Sequence, residues 1–78
     1  MKDLLEFIVK SLVDKPDEVK INLSEGDEEI TLIFSVGKDD MGKVIGRGGK
    51  IIKAIRTLLR ARGFKEGKRV EINLEEKT

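Results

Sequence analysis

The sequence predicts an α+β fold in which a helix, two strands, two helices and a final strand follow one another. Residues 2–13 and 50–62 place apolar side chains at helical spacing, and a shorter apolar run follows Asp40. Three other segments alternate apolar and polar residues, the period of a strand with one buried face. We therefore expect a three-stranded mixed sheet with three helices on one face, built as a single domain over residues 1–78.

The first half of the chain predicts a helix and then a β-hairpin. The helix buries one apolar side, and it ends before Pro16, which cannot donate a backbone hydrogen bond. Residues 19–24 and 30–36 then alternate as strands on either side of the polar turn Glu25 to Glu29. Two strands joined by so short a turn form an antiparallel hairpin.

The second half predicts a helix pair and a last strand. Asp39 or Asp40 is expected to cap a short helix, Met41 to Ile45, through its carboxylate. The following helix runs from Lys50 to Arg62, and Gly63 is expected to end it as a left-handed cap. Residues 70–75 alternate as the third strand, and its helical crossover makes it parallel to the strand at 30–36.

Composition excludes several classes of function. The chain has no Cys, His, Tyr or Trp, so disulfides, thiolate metal sites and thiol or imidazole catalysis are impossible. No carboxylate, Lys or Ser/Thr constellation suggests another mechanism, and we expect neither an enzyme nor a metal or small-molecule cofactor. Acidic residues interrupt the amino-terminal apolar run, so we expect neither a signal peptide nor a membrane span there. A cytoplasmic location and no membrane partner are the expectations.

The charges are strongly segregated along the chain. Residues 1–40 carry a net charge of −6, residues 41–69 carry +9, and residues 70–78 carry −2. The total of +1 hides this division. A basic surface beside acidic ones is typical of a domain that meets a polyanion on one side.

A glycine-rich turn lies inside the basic block. Gly46-Arg47-Gly48-Gly49 separates the two predicted helices, and missing side chains let a ligand approach the backbone closely. The turn leads into a helix amino terminus, where free amides and the helix dipole favour an anion. Lys43, Arg47 and Lys50 add cations, so the pattern predicts a phosphate site.

The glycines match neither of two common nucleotide-binding patterns. A P-loop requires Ser or Thr after Gly49-Lys50, where Ile51 stands, and the dinucleotide-binding pattern requires a third glycine at the same position. The glycines could also serve only a tight turn between helices. A purely structural turn leaves the surrounding excess of basic residues unexplained.

Val44 to Ile52 resembles the signature of the KH domain, an apolar pair followed by Gly-x-x-Gly, two residues and Ile. The flanking segments SLVDKPDEVKI and KEGKRVEI extend the similarity to small single-domain bacterial KH proteins of type II. The resemblance implies that the loop clamps the backbone of about four single-stranded RNA nucleotides beside an apolar groove. The predicted RNA-binding residues are Lys43, Ile45, Gly46, Arg47, Gly48, Gly49, Lys50, Ile52 and Lys53.

The same resemblance implies a partner and a cellular role. The resemblance implies an RNA chaperone or post-transcriptional regulator with effects on cell division, cell shape and cell-wall organisation. A second KH-domain protein or a homodimer is the implied partner. The alternative hypothesis is a protein-interaction subunit, in a heteromeric KH complex or in ribosome maturation.

Aromatic side chains are nearly absent from the basic block. Phe64 comes only at its end, so base stacking is expected to contribute little to RNA affinity. Phosphate contacts would then dominate, and binding should weaken measurably with salt.

Overall fold

The computed structural model describes residues 1–76, so the last two residues of the predicted domain lie outside it. The predicted order of helices and strands is confirmed. The elements are α1 (Lys2–Leu12), β1 (Lys20–Glu25), β2 (Glu29–Ser35), α2 (Met41–Ile45), α3 (Lys50–Lys65) and β3 (Arg69–Leu74). Short 3₁₀ turns lie at Pro16–Glu18, Lys38–Asp40 and Arg47–Gly49. Over residues 1–76, none of the helices combines the length and apolarity needed to cross a membrane.

The strands form one mixed sheet in the order β1-β2-β3. β1 and β2 are antiparallel, with Ile21 opposite Phe34, and β2 and β3 are parallel, with Leu32 opposite Ile72. The predicted hairpin and the predicted parallel crossover are therefore both present. β3 is left as an edge strand on the side away from β2.

One face of the sheet carries the core. Ile30, Leu32 and Phe34 of β2 and Val70 and Ile72 of β3 alternate with residues that face outward, and all five are buried. The helices cover this face with a second buried set, which consists of Leu5, Val9, Val44, Ile52, Ile55 and Leu59. The helices therefore pack on a single face, as the strand periodicity predicted.

The prediction that Gly63 ends α3 is wrong. The helix continues to Lys65, and Gly67 (φ +71°) takes the left-handed position instead. The Lys68 amide donates to the Gly63 carbonyl at 2.8 Å and the Gly67 amide to the Phe64 carbonyl at 3.1 Å, the two bonds of a Schellman cap. Gly63 is buried, and glycine is needed there for another reason, because a Cβ at this position would collide with the Val70 side chain.

The prediction that an aspartate carboxylate caps α2 is also wrong. Asp40 stands at the capping position, but its carboxylate makes no cap hydrogen bond. It accepts hydrogen bonds from the amides of Asp14 (3.2 Å) and Lys15 (3.0 Å), just beyond α1. Asp39 is exposed and pairs with Lys15 at 3.6 Å. The Asp40 carboxylate therefore holds the exit of α1 against the start of α2.

Candidate nucleic-acid interface

The glycine turn is a tight turn between α2 and α3, and its backbone is non-helical at Gly48. Gly46 closes α2, its amide donating to the Gly42 carbonyl at 2.9 Å, and the Gly49 amide donates to the Gly46 carbonyl at 3.1 Å. Gly46, Gly48 and Gly49 all have positive φ, at +76°, +64° and +76°. Side-chain-bearing residues rarely adopt this conformation, so the path of the turn depends on glycine.

Gly46 and Gly48 differ in the space around them. A Cβ on Gly46 would lie 2.9 Å from Cβ of Ile51, so the first turn of α3 is packed against this glycine. At Gly48 no atom beyond its two chain neighbours lies within 4 Å of the Cβ position, which points into open space. Gly46 therefore fixes the helix junction, while Gly48 leaves the outer side of the turn open to a ligand.

The turn presents unpaired backbone donors. Within residues 1–76, the amides of Arg47 and Gly48 have no hydrogen-bond acceptor in the protein. Gly49, the residue before α3, has no side chain to cap the helix. Free amides at the positive end of a helix dipole are the donors that a phosphate oxygen needs.

Cations surround these donors. Arg47, Lys50 and Lys53 are exposed, and no carboxylate in the described part of the chain lies within 4.0 Å of their charged groups. Their charges are therefore available to a polyanion. The structure brings these three predicted residues together with the glycine turn.

Lys43 is placed differently from the other predicted cations. Its ammonium pairs with the carboxylates of Asp14 and Asp40, the latter at 3.4 Å. The hydrogen bond from Lys43 to Asp14 raises the Lys43 pKa, against the opposing effect of desolvation, and the nearby negative charges raise it further. Lys43 is thus already paired with carboxylates within the fold, unlike Arg47, Lys50 and Lys53.

The two predicted groove residues lie mainly in the core. Ile52 is only 8% exposed, and Ile45 is half-buried and packs against the same core. Each can offer no more than an edge to a base. The apolar side of the interface is therefore narrow next to its charged side.

A groove along α3 and β3 joins the predicted residue Lys53 to six residues that the predicted site omitted. Arg56, Thr57 and Arg60 line it with Lys53 from α3, and Glu71, Ile72 and Asn73 line it from β3. The Nε of Arg56 donates to the Ile72 carbonyl at 3.2 Å, which fixes the guanidinium across the groove. The spacing of 53, 56, 57 and 60 marks one exposed helix face in the sequence. Only the position of β3 shows that this face borders a groove.

The described residues suggest no metal site. No group of three or more His, Cys, Asp or Glu side chains in residues 1–76 is arranged to hold a metal ion. The functional features of this surface are backbone donors, cations and a groove. Such features bind a phosphodiester chain by charge and hydrogen bonding.

A Gly-x-x-Gly turn between two helices that pack on one face of a three-stranded sheet is the arrangement of a KH domain. The family model described as "KhpA/KhpB, KH domain" matches residues 2–74. The chain therefore belongs to the KhpA/KhpB KH-domain family.

Curated relatives support this assignment over nearly the whole chain. The RNA-binding protein KhpA of Clostridium perfringens is 51% identical over 74 residues, which cover 95% of this chain and 99% of the relative. The proteins of the same name from Borreliella burgdorferi and Listeria monocytogenes are 53% and 47% identical, covering 92% and 97% of this chain and 88% and 100% of the relatives. The search of solved structures found no match.

Proposed function

We propose that this chain is a non-catalytic RNA-binding protein that clamps the backbone of single-stranded RNA with the Gly46–Gly49 turn. One observation carries the proposal: the backbone amides of Arg47 and Gly48 have no acceptor within residues 1–76. They lie next to the exposed cations Arg47, Lys50 and Lys53. The relatives are named RNA-binding proteins, which supports RNA as the polyanion.

The proposed mechanism divides the work between backbone and side chains. The Arg47 and Gly48 amides seat a phosphate at the amino terminus of α3, where the dipole is positive. Arg47 and Lys50 neutralise neighbouring phosphates. The strand then runs along α3 beside Lys53 and the groove, with the edges of Ile45 and Ile52 against its bases.

The proposed cellular setting follows the family. We propose a single KH domain over residues 1–78 that works in the bacterial cytoplasm as an RNA chaperone or post-transcriptional regulator, with effects on cell shape and cell-wall organisation. It needs neither a metal nor a small-molecule cofactor in this role.

The test is the double variant Arg47→Asp/Gly48→Asp. Its two carboxylates repel phosphate at the turn, and aspartate tolerates the positive φ of Gly48 better than most residues. Binding of labelled single-stranded RNA should fall by tenfold or more. For the unchanged protein, a plot of log affinity against log salt should have a slope of about −0.7 per phosphate neutralised. The double variant should show a shallower slope.

Lys20→Asp/Ser24→Asp is the matched control, because it makes the same change in net charge on exposed residues of β1. This control should keep most of its RNA affinity. Equal losses of RNA affinity in both double variants would mean that the loss comes from net charge alone. Full binding by the loop variant would show that the turn does not contact RNA.

A second candidate function, protein interaction, is favoured by a separate surface. Leu4 and Ile8 of α1 and Leu58, Ala61, Arg62 and Lys65 of α3 line an apolar depression. Leu58 is 58% exposed there, on the flank of α3 away from the residues that line the RNA groove. We propose that this surface binds a KH-domain partner, most simply a second copy of this chain, and that each partner keeps its RNA groove open.

A further inference from the structure

The ring of Phe64 is the most exposed large apolar side chain in residues 1–76. It lies near the end of α3 and is 85% exposed. The ring borders a depression whose other lining residues are Arg60, Gly67, Lys68, Arg69, Val70 and Glu71. Single exposed apolar residues are common on protein surfaces, so exposure alone does not indicate a binding role. The residues around the ring are the relevant observation.

The Phe64 depression continues the groove that receives RNA in the proposed function. Arg60 and Glu71 line both, so the two depressions are neighbours along the α3–β3 border. From Lys50 to Phe64 the helix rises about 21 Å, at about 1.5 Å per residue. A strand clamped at the glycine turn and lying along α3 is therefore led towards this ring.

The charges around the ring can serve both parts of a nucleotide. Arg60 and Arg69 border the depression and attract the strand, Lys68 is paired with Glu25, and the Glu71 carboxylate repels a phosphate placed directly beside it. A nucleobase has no such penalty, and its amino groups can donate to that carboxylate. An exposed aromatic ring beside arginines is the usual platform on which a base stacks.

We propose that Phe64 stacks on a nucleobase of the RNA strand, beyond the nucleotides that the glycine turn clamps. The inference rests on the proposed function, since it requires RNA in the groove. It also revises the expectation that stacking contributes little. Phe64 would extend the binding site past about four nucleotides and favour longer strands.

Tryptophan substitution gives a direct reading of stacking, because the chain contains no Trp or Tyr. Phe64→Trp keeps a ring at the site, and Phe7→Trp places the same fluorophore on α1, where Phe7 is 71% exposed. A randomised ten-nucleotide single-stranded RNA should quench the fluorescence of the Phe64→Trp variant and leave that of the Phe7→Trp variant unchanged. Absence of quenching at position 64, with RNA bound, would overturn the inference.

Affinity measurements complete the test. Phe64→Ala should weaken binding of the ten-nucleotide RNA by roughly fivefold or more, and Phe64→Leu should do nearly the same, because stacking needs the ring. A four-nucleotide RNA should bind both variants as it binds the unchanged protein, and Phe7→Ala should bind both RNAs normally. Equal affinity of Phe64→Ala and the unchanged protein for the longer RNA would contradict the proposal.

Two further outcomes distinguish a failure of stacking from a failure of RNA binding itself. If the unchanged protein binds neither RNA, the proposed function fails. If Phe64→Ala changes the sedimenting mass but not RNA affinity, the ring belongs to a protein interface and the stacking proposal is wrong. Thermal melts confirm that each variant is folded.

Discussion

A single carboxylate fixes how the glycine turn is presented. Asp40 is 1% exposed, and it joins the amides of Asp14 and Lys15 to the first turn of α2, which leads into Gly46. Desolvation alone would raise the pKa of this carboxyl. The two amide hydrogen bonds and the Lys43 ammonium outweigh that effect, so the pKa of Asp40 lies below its ordinary value of 3.8.

This lowered pKa predicts acid-sensitive stability. A carboxyl that is more acidic when folded stabilises the protein above its unfolded pKa, and the contribution is lost as pH falls through the folded pKa. The loss should therefore begin near pH 3.8 and continue below it. Asp40→Asn should lower the melting temperature by about 5 °C at pH 7, and its melting temperature should respond less to acid than that of the unchanged protein.

Asp39→Asn is the matched control for this measurement. Asp39 is the adjacent aspartate, its side chain is 83% exposed, and its one described ion pair is at the surface. Calorimetric melts between about pH 2.5 and 7 should show almost no change for it, since an exposed pair contributes little. A similar effect of both substitutions would mean that the amide hydrogen bonds of Asp40 add nothing.

At the scale of elements, the contact between α3 and β3 determines the width of the groove. Gly63 lets the helix lie directly on the strand, since a Cβ there would meet the Val70 side chain and lie 2.9 Å from the Lys68 carbonyl oxygen. The same strand carries Ile72, whose carbonyl receives Arg56. The packing of α3 on β3 therefore also positions a groove residue.

Gly63→Ala should destabilise the fold, although alanine is the better helix former. Overpacking at a close backbone contact costs about 1–3 kcal/mol, more than the gain in helix propensity. Gly42→Ala is the control, because Gly42 lies in α2 and no atom outside its own stretch of backbone lies within 4 Å of its Cβ position. It should stabilise the protein by about 0.4–1 kcal/mol. Urea unfolding measures the stability of both variants. A stabilised Gly63→Ala variant would show that β3 shifts to accommodate the added methyl group at little cost.

The sequence predicts those features that depend on neighbouring residues. Apolar periodicity predicts every helix and strand, and the glycines at 46–49 predict the turn, because both are local in the chain. The partners of Asp40 lie 25 and 26 residues away, and Val70 meets Gly63 only through the fold. Capping by Asp40 and Gly63 is the local expectation. Contacts from distant residues hold the Asp40 carboxylate instead, while at the end of α3 a second nearby glycine, Gly67, takes the left-handed position.

The candidate site is likewise predicted from the sequence only as far as its local features. The exposed face of Lys53, Arg56 and Arg60 can be seen in the sequence, but only the position of β3 makes it the wall of a groove. The pairing of Lys43 with Asp14 likewise joins residues from distant elements. A cation near the motif in sequence is therefore not necessarily free to bind a ligand.

On the scale of the whole molecule, α3 separates two surfaces. Its buried stripe, Ile52, Ile55 and Leu59, packs on the sheet. One flank carries Lys53, Arg56 and Arg60 beside β3, and the other carries Leu58 and Ala61 beside α1. A partner on the α1 flank would leave the groove free, so two copies could hold one RNA at two points and gain affinity through effective concentration.

Leu58→Glu tests that arrangement. A charge in the centre of an apolar interface is costly, so the variant should sediment as a monomer at concentrations where the unchanged protein is a dimer. Its affinity for RNA long enough to reach two grooves should fall by tenfold or more, while a four-nucleotide RNA should bind normally.

Leu23→Glu is the control, since Leu23 is 42% exposed on β1 and its substitution should leave both properties unchanged. If the unchanged protein is monomeric and long RNA gains no affinity, the surface does not join two copies. Retention of another KH protein by the unchanged chain, lost in Leu58→Glu, would then assign the surface to that partner.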